Sequence, residues 1–353
     1  MIVLITGGSG FVGSSIAILL KLHYPQYRII CFDNLRRRGS ELNLNRLTEA
    51  GIEFLHGDIR SIEDLKVVGP INILIEASAE PSVLAGINST ADYTIQTNLL
   101  GTINALNFAK FYNASFIFLS TSRIYPINQI EKIRTTEQKT RFVLNEIQEL
   151  TGISKHGISE QFPLDGYRSI YGATKLASEL MIQEFHHFYG MKTIVNRCGV
   201  LTGPWQMGKV DQGVIVLWMA RHYWNSRLSY VGYGGTGKQV RDILHVRDLY
   251  DLIDQQIQHQ ELFNGDIFNV GGGLANTVSL QELTLLCQEI SGNSIPIDEE
   301  KENRKADIRL FITDNTKITE KCGWTPKIDT KTMLQEIYNW LSTHHKILES
   351  VLK

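Results

Sequence analysis

The stretch ITGGSGFVG, Ile5 to Gly13, closes an apolar run that starts at Met1 and opens a helical pattern, FVGSSIAILLKL. Gly7, Gly10 and Gly13 are spaced G-x-x-G-x-x-G. Glycine at these places permits a tight strand-to-helix turn, close approach of a diphosphate to backbone N–H groups, and close packing of helix on sheet. The next strand pattern, RIICF, is followed by Asp33. That spacing suits an acid bonding the ribose hydroxyls of a bound dinucleotide. Further short apolar runs follow, IEFLHGD, NILIEAS, SFIFLST and TIVNRCG, separated by helix-length segments such as NLLGTINALNFAKFY and YGATKLASELMIQEFHHFYG. The alternation predicts an α/β, Rossmann-type doubly wound parallel sheet covered on both faces.

After TGPW the texture changes to glycine clusters, VGYGGTGKQ and VGGG, and shorter elements. Residues 1–204 are therefore expected to form the dinucleotide-binding domain, with a loop insertion near Thr135–Arg168, and residues 205–353 mainly a smaller mixed α/β lobe with some segments returning to the first domain. The 353 residues are 43% hydrophobic and carry a formal net charge of −2, so no nucleic-acid partner is expected. Cys31, Cys198, Cys287 and Cys322 form no CxxC pair, so reduced thiols are the default and no disulfide framework or metal site is expected. The N-terminal apolar run is too short for a signal peptide, and no run of about 18 apolar residues predicts a membrane span. His186-His187 and His344-His345 are adjacent pairs without the i, i+4 spacing of a helical zinc site.

Two features carry chemistry. FLSTSRIYP, Phe118 to Pro126, begins as a buried strand and ends in three hydroxyls, Ser120, Thr121 and Ser122. YGATK places Tyr171 and Lys175 four residues apart, on one face of a helix. A nearby ammonium stabilises tyrosinate and makes the tyrosine a usable base. Asp33 would repel a 2′-phosphate and favours NAD, while Arg36, Arg37 and Arg38 close behind would suit a phosphate; NAD is expected. Asp58, in HGDIR, suits either the adenine side of the dinucleotide or a helix N-cap near Ser61.

In family order, TGGSGFVG, FDNL, HGDIR, TNLLGT, STSRIYP, YGATK, GKQVRDILHVRDL and FNVGGG span nearly the whole chain. In these motifs the chain resembles the extended short-chain dehydrogenase/reductases that act on nucleotide sugars. The resemblance implies catalytic roles for Thr121, Tyr171 and Lys175, with Ser122 the alternative to Thr121. It implies cofactor contacts from Gly7, Gly10, Phe11, Val12, Gly13, Asp33, Asn34, Asp58, Ile59, Ala77, Ala79, Asn98, Tyr171 and Lys175. Substrate contacts are expected from Ser122, Arg123, Asn196, Arg197, Lys238, Arg241 and Arg304. Arg241 also suits a salt bridge with neighbouring acids, Arg304 a solvated surface, and Asn196 and Arg197 a structural role. Trp205 and Trp218 suit either the sugar pocket or core packing.

The family's 4,6-dehydratases carry Thr-Asp-Glu where this chain has Thr121-Ser122-Arg123, so the acid and base of an elimination are missing. Its 4-epimerases often carry Arg-x-x-Asn after the sixth strand, where Val200 holds the Asn position. FDNLRRRGS, DGYRSIYG, the DQG of Asp211–Gly213 and GKQVRDILH resemble the CDP-paratose 2-epimerase group most. That resemblance implies an isomerase that passes hydride from a sugar carbon to tightly bound NAD and returns it to the other face of a keto-sugar. It further implies a cytoplasmic homodimer built through a four-helix bundle. A nucleotide-sugar reductase or dehydrogenase and a non-catalytic NAD-binding regulator are the alternatives.

Overall fold

The computed structural model describes residues 1–87, 90–208 and 212–353; Asp211 of the DQG stretch lies outside them. Seven strands form the main sheet: β1 (Ile2–Thr6), β2 (Arg28–Asp33), β3 (Glu53–His56), β4 (Ile73–Glu76), β5 (Ser115–Thr121), β6 (Thr193–Cys198) and β7 (Ile267–Val270). Their spatial order is β7-β6-β5-β4-β1-β2-β3. The chain runs outward from β1 to β3, then returns to start the other half at β4. This reversal opens a crevice at the carboxyl ends of β1 and β4, where doubly wound sheets bind ligands. The register aligns Thr6 with Glu76 and Glu76 with Phe118. Strand β5 runs three residues beyond that line, to Thr121.

The strands are apolar on both faces because helices cover both. These are α1 (Phe11–His23), α2 (Asn43–Glu49), α3 (Ile62–Lys66), α4 (Asp92–Ile95), α5 (Gly101–Phe111), α6 (Ile170–Tyr189) and α7 (Val246–Gln258). A five-residue π-turn, Gln96–Leu100, joins α4 to α5. Helix α6 starts at Ser169, whose hydroxyl accepts the Gly172 N–H, and stops at Gly190, with φ +64°. The core of this part includes Leu4, Ile30, Leu74, Phe116, Ile182 and Val195.

The chain divides into two compact units, each discontinuous in sequence. The first comprises Met1–Ile124, Ser169–Arg197 and Leu249–Phe268; the second comprises Tyr125–Arg168, Cys198–Asp248 and Asn269–Lys353. A single boundary at 204 does not describe this division. The insertion, expected in the first domain, is part of the second unit. It carries two short hairpins, Thr135–Glu137 with Phe142–Leu144 and Ile153–Ser154 with Gly157–Ile158. Its backbone bonds there explain the placement: Phe142 N donates to Lys238 O at 3.1 Å, and Ile158 N to Ile312 O at 2.8 Å. Arg141 also binds Glu282, the acid of the capping box that starts the helix Leu280–Ser291, at 2.8 Å.

Within the second unit, Val240–His245 pairs in parallel with Val200–Thr202 and Leu310–Phe311, and antiparallel with Thr277–Ser279. Helices Val214–Tyr223, Leu280–Ser291 and Thr330–Leu352 pack together. Trp218 is buried among them and donates to Thr284 Oγ1 at 2.9 Å, so it packs the core. Trp205 lies against Trp340 and His344. Among the described residues no helix is long and apolar enough to cross a membrane.

The centre of the main sheet sets the stability of the first unit. Phe116 on β5 is fully buried beside Phe118. Phe116→Ala should cost about 3–5 kcal/mol. Urea unfolding checks this, and a loss below about 1 kcal/mol would contradict the packing described.

Candidate active site

The glycine turn is held by steric necessity. Gly7 has φ +65°, and a Cβ there would lie 2.7 Å from Ala77 O. A Cβ on Gly13 would lie 2.3 Å from Gly7 O. A side chain at Gly7 would collide with the backbone just after β4, and one at Gly13 would push helix α1 off the turn. Gly10 is the N-cap of α1 and offers no side chain to close the helix end. The first-turn N–H groups, at Phe11 and Val12, belong to the part of a helix that has no intrahelical acceptors and favours an anion. Beside this turn, the hydroxyls of Thr6 and Ser9 are buried with no hydrogen-bond partner among the described residues. A side-chain-free helix N-terminus beside two spare buried hydroxyls fits the diphosphate of a dinucleotide.

The acids at the ends of β2 and β3 are held by hydrogen bonds from the protein itself. Asp33 accepts Ser9 N–H at 3.2 Å and Leu35 N–H at 2.8 Å, joining the glycine turn to the end of β2. Asp58 accepts the Arg60 guanidinium at 2.7 Å and the Asn34 amide at 3.0 Å. The Arg60 bond is the main reason its carboxyl falls to about 2. Asp58 is not the cap of α3; Ser61 is, accepting the Asp64 N–H. The Arg36 guanidinium lies 3.9 Å from the Tyr93 ring centroid, and that of Arg60 lies 4.9 Å from it. Arg36 is thus stacked on an aromatic ring.

Asn98 sits in the π-turn, fully buried. Its amide donates to Glu80 O at 3.1 Å and Thr174 Oγ1 at 3.3 Å, and accepts Glu80 N–H at 2.8 Å. It therefore pins the segment after β4, which contains Ala77 and Ala79, to helix α6. Ile59 packs against Gly101 at the start of α5, where a Cβ would meet it at 2.7 Å.

Helix α6 presents Tyr171, Thr174, Lys175, Ser178 and Glu179 on its buried face, followed by Ile182 and Phe185. It packs on β5 and on the turn Ser122–Ile124 that follows. Thr121, Tyr171 and Lys175 are all buried in this first unit. Thr121 Oγ1 accepts the Arg123 N–H at 3.2 Å, fixing the turn in which Ser122 and Arg123 lie. The Lys175 ammonium lies 3.8 Å from the Phe118 ring centroid and 3.6 Å from Glu76 Oε2. Glu76 was not singled out in the sequence; the signal available was a lone acid ending the apolar strand ILIE.

Two of the expected substrate residues have buried structural partners. Asn196 and Gln256 exchange reciprocal amide bonds, each 2.8 Å, in a fully buried position. Arg197 is buried against Glu179, with Nε–Oε2 at 3.0 Å and Nη2–Oε2 at 2.8 Å. Ser120, one residue before Thr121, donates to the same carboxylate. These pairs tie β5, β6 and α6 together from behind. In the second unit, Lys238 pairs with Glu137 at 2.7 Å. Arg241 binds Asp307 at 2.9 Å and the Ile308 carbonyl at 2.6 Å. The Arg304 carbonyl accepts the Asp307 N–H.

Comparison with known proteins matches this arrangement. The profile of the NAD dependent epimerase/dehydratase family matches residues 3–271. The CDP-paratose 2-epimerase of Salmonella typhi is 32% identical over 97% of this chain and 100% of that protein. Among solved structures, the UDP-glucose 4-epimerase of Thermotoga maritima, determined with UDP-glucose, superposes with a TM-score of 0.75 at 25% identity, covering 98% of this chain and 100% of that one. The dTDP-glucose 4,6-dehydratase of Bacillus anthracis, in complex with NAD, shares the fold with a TM-score of 0.77 at 24% identity over 99% of both chains. The chain belongs to the NAD dependent epimerase/dehydratase family, and its cofactor is NAD.

Proposed function

We propose that this chain is a nucleotide-sugar epimerase of the CDP-paratose 2-epimerase type, inverting carbon 2 of the sugar. The observation that carries the reading is the end of β5. Thr121 stands in the same unit as Tyr171 and Lys175, and the next two residues are Ser122 and Arg123 rather than an acid pair. A site so built can exchange a proton with a sugar hydroxyl but lacks the carboxylates that would expel water. Full-length similarity to the Salmonella typhi enzyme supports the substrate class.

Bound NAD supplies a two-electron acceptor that is regenerated within each turnover. Gly7, Gly10, Gly13 and the start of α1 would hold its diphosphate, and Asp33 its adenosine ribose. Tyr171 takes the proton of the sugar hydroxyl and later gives it back. Thr121 Oγ1 hydrogen-bonds the same oxygen and aligns it. Lys175, four residues on, supplies the positive charge that lowers the tyrosine pKa. In the second unit, Arg241 and Arg304 are the candidate grips for the nucleotide diphosphate, since a guanidinium gives it a bidentate contact.

The helices α5 and α6 expose apolar side chains away from the sheet: Phe111 is 80% exposed, Phe188 72% and Leu180 56%. The reading includes a homodimer that covers this face through a four-helix bundle.

Tyr171→Phe should reduce turnover of CDP-paratose by about 10²–10⁴-fold, the usual worth of a general base. Retention of more than about a tenth of the activity would remove Tyr171 from that role. Turnover should need no added cofactor, and in D₂O the inverted carbon should stay undeuterated. Net NADH would instead indicate a dehydrogenase, and deuterium at that carbon a proton-abstraction mechanism. Light scattering should give twice the 40.0 kDa chain mass, and Phe188→Asp should halve it. A parent protein that is monomeric at micromolar concentration would exclude the bundle.

A further inference from the structure

Beneath Tyr171 two opposite charges lie out of water. Lys175 is 1% exposed and Glu76 0%, with Nζ and Oε2 3.6 Å apart. An acid at the end of an apolar strand is costly to bury unless something compensates its charge. The hydrogen bonds that reach it, from the Lys175 ammonium, the Ser78 N–H and the Thr102 hydroxyl, do not offset its burial. Oε1 has no hydrogen-bond partner among the described residues. Thr102 Oγ1 lies 3.5 Å from Oε2, but its single hydrogen has a better acceptor in Asn98 O at 2.8 Å. Burial pushes the Glu76 carboxyl up; of the influences that oppose it, the charge of Lys175 is the largest and the hydrogen bond from Lys175 the next, ahead of the Ser78 N–H. Burial alone drives a lysine toward its neutral form, and the face of the Phe118 ring offers only a weak substitute for a counter-ion.

We propose that Glu76 is a positioning residue: its carboxylate is the counter-ion that keeps Lys175 an ammonium inside the buried site, and through that charge it sets the pH range in which Tyr171 works as a base. This rests on the reading of Tyr171 and Lys175 given above. The elements packed around the pair present few other ionisable groups. Strand β1 contributes Thr6 and β5 contributes Phe118, by register. Helix α5 contributes Thr102. Helix α6 contributes Tyr171 and Glu179, and Arg197 of β6 already neutralises Glu179. An opposite charge within about 4–6 Å moves a pKa by about 1–3 units. Removing the carboxylate should therefore let Lys175 lose its proton at lower pH, and Tyr171 would lose its positive neighbour with it.

The test uses the purified protein labelled with ¹⁵N at the lysine side chains, with the Lys175 Nζ resonance assigned by its absence in Lys175→Arg. In the parent, that resonance should be an ammonium at pH 7 and above, and in Glu76→Gln it should titrate at least about one unit lower than in the parent. The alkaline limb of kcat/KM should move down by the same amount, and Glu76→Asp should restore most of it. A pair that serves packing alone would lower Tm in Glu76→Gln and leave both pH readings where they were; that result overturns the proposal. If Glu76→Gln does not fold, the parent titration decides, because a Lys175 already neutral at pH 7 also overturns it. The resonance needs no substrate. A chain that fails to epimerise any sugar while showing the shift would count against the proposed function and leave the role of Glu76 standing.

Discussion

Every charge on the buried face of α6 has to be met by a partner from the sheet, and that constraint places the rest of the site. Lys175 faces Glu76 of β4, while Glu179 faces Arg197 of β6 and Ser120 of β5. Ser178 donates to Asn98 O at 2.8 Å, at the π-turn. These contacts reach three strands and the π-turn, and each is made out of water, where an unpaired charge or donor would be severely penalised. Rotating or sliding the helix by one residue would break all of them together. Tyr171 is carried on the first turn of that same face, so its position follows from pairs lying deeper in the fold.

The glycine turn applies a complementary constraint made of space rather than charge. Gly7 and Gly13 are forced by backbone atoms lying within 3 Å of where a side chain would begin. The turn thereby brings the end of β1 against Ala77, just beyond Glu76 on β4. Asn98 holds the following residues from the other side. The residues that abut the glycine turn and the acid that faces Lys175 are thus parts of one short segment, Glu76 to Glu80. A change at Glu76 would be felt on both.

Much of this was legible in the chain because it repeats at short range. The glycine spacing, the acid after the second strand, the hydroxyls ending FLST and the i, i+4 tyrosine and lysine are local patterns with local physical reasons. What the sequence left open depends on partners that are distant along the chain. Arg197 and Asn196 look like substrate contacts at a strand end, yet their partners are Glu179, 18 positions away, and Gln256, 60 positions away. The insertion looked like a loop of the first domain because it interrupts that domain's sequence. Its backbone bonds run to Lys238 and Ile312, about a hundred residues or more downstream, and those bonds decide where it belongs.

By itself the sequence determined the alternating α/β fold and the glycine turn, and it named the candidate groups for exchanging a proton, since periodicity and spacing act within a few residues. The tertiary structure alone decided which buried polar groups support that chemistry and which are engaged elsewhere. Glu76 shows the difference. In the chain it is one acid at the end of an apolar strand; in the fold it lies 3.6 Å from Lys175, a residue 99 positions later. Only the folded sheet brings those two charges together, and only their shared exclusion from water makes each depend on the other.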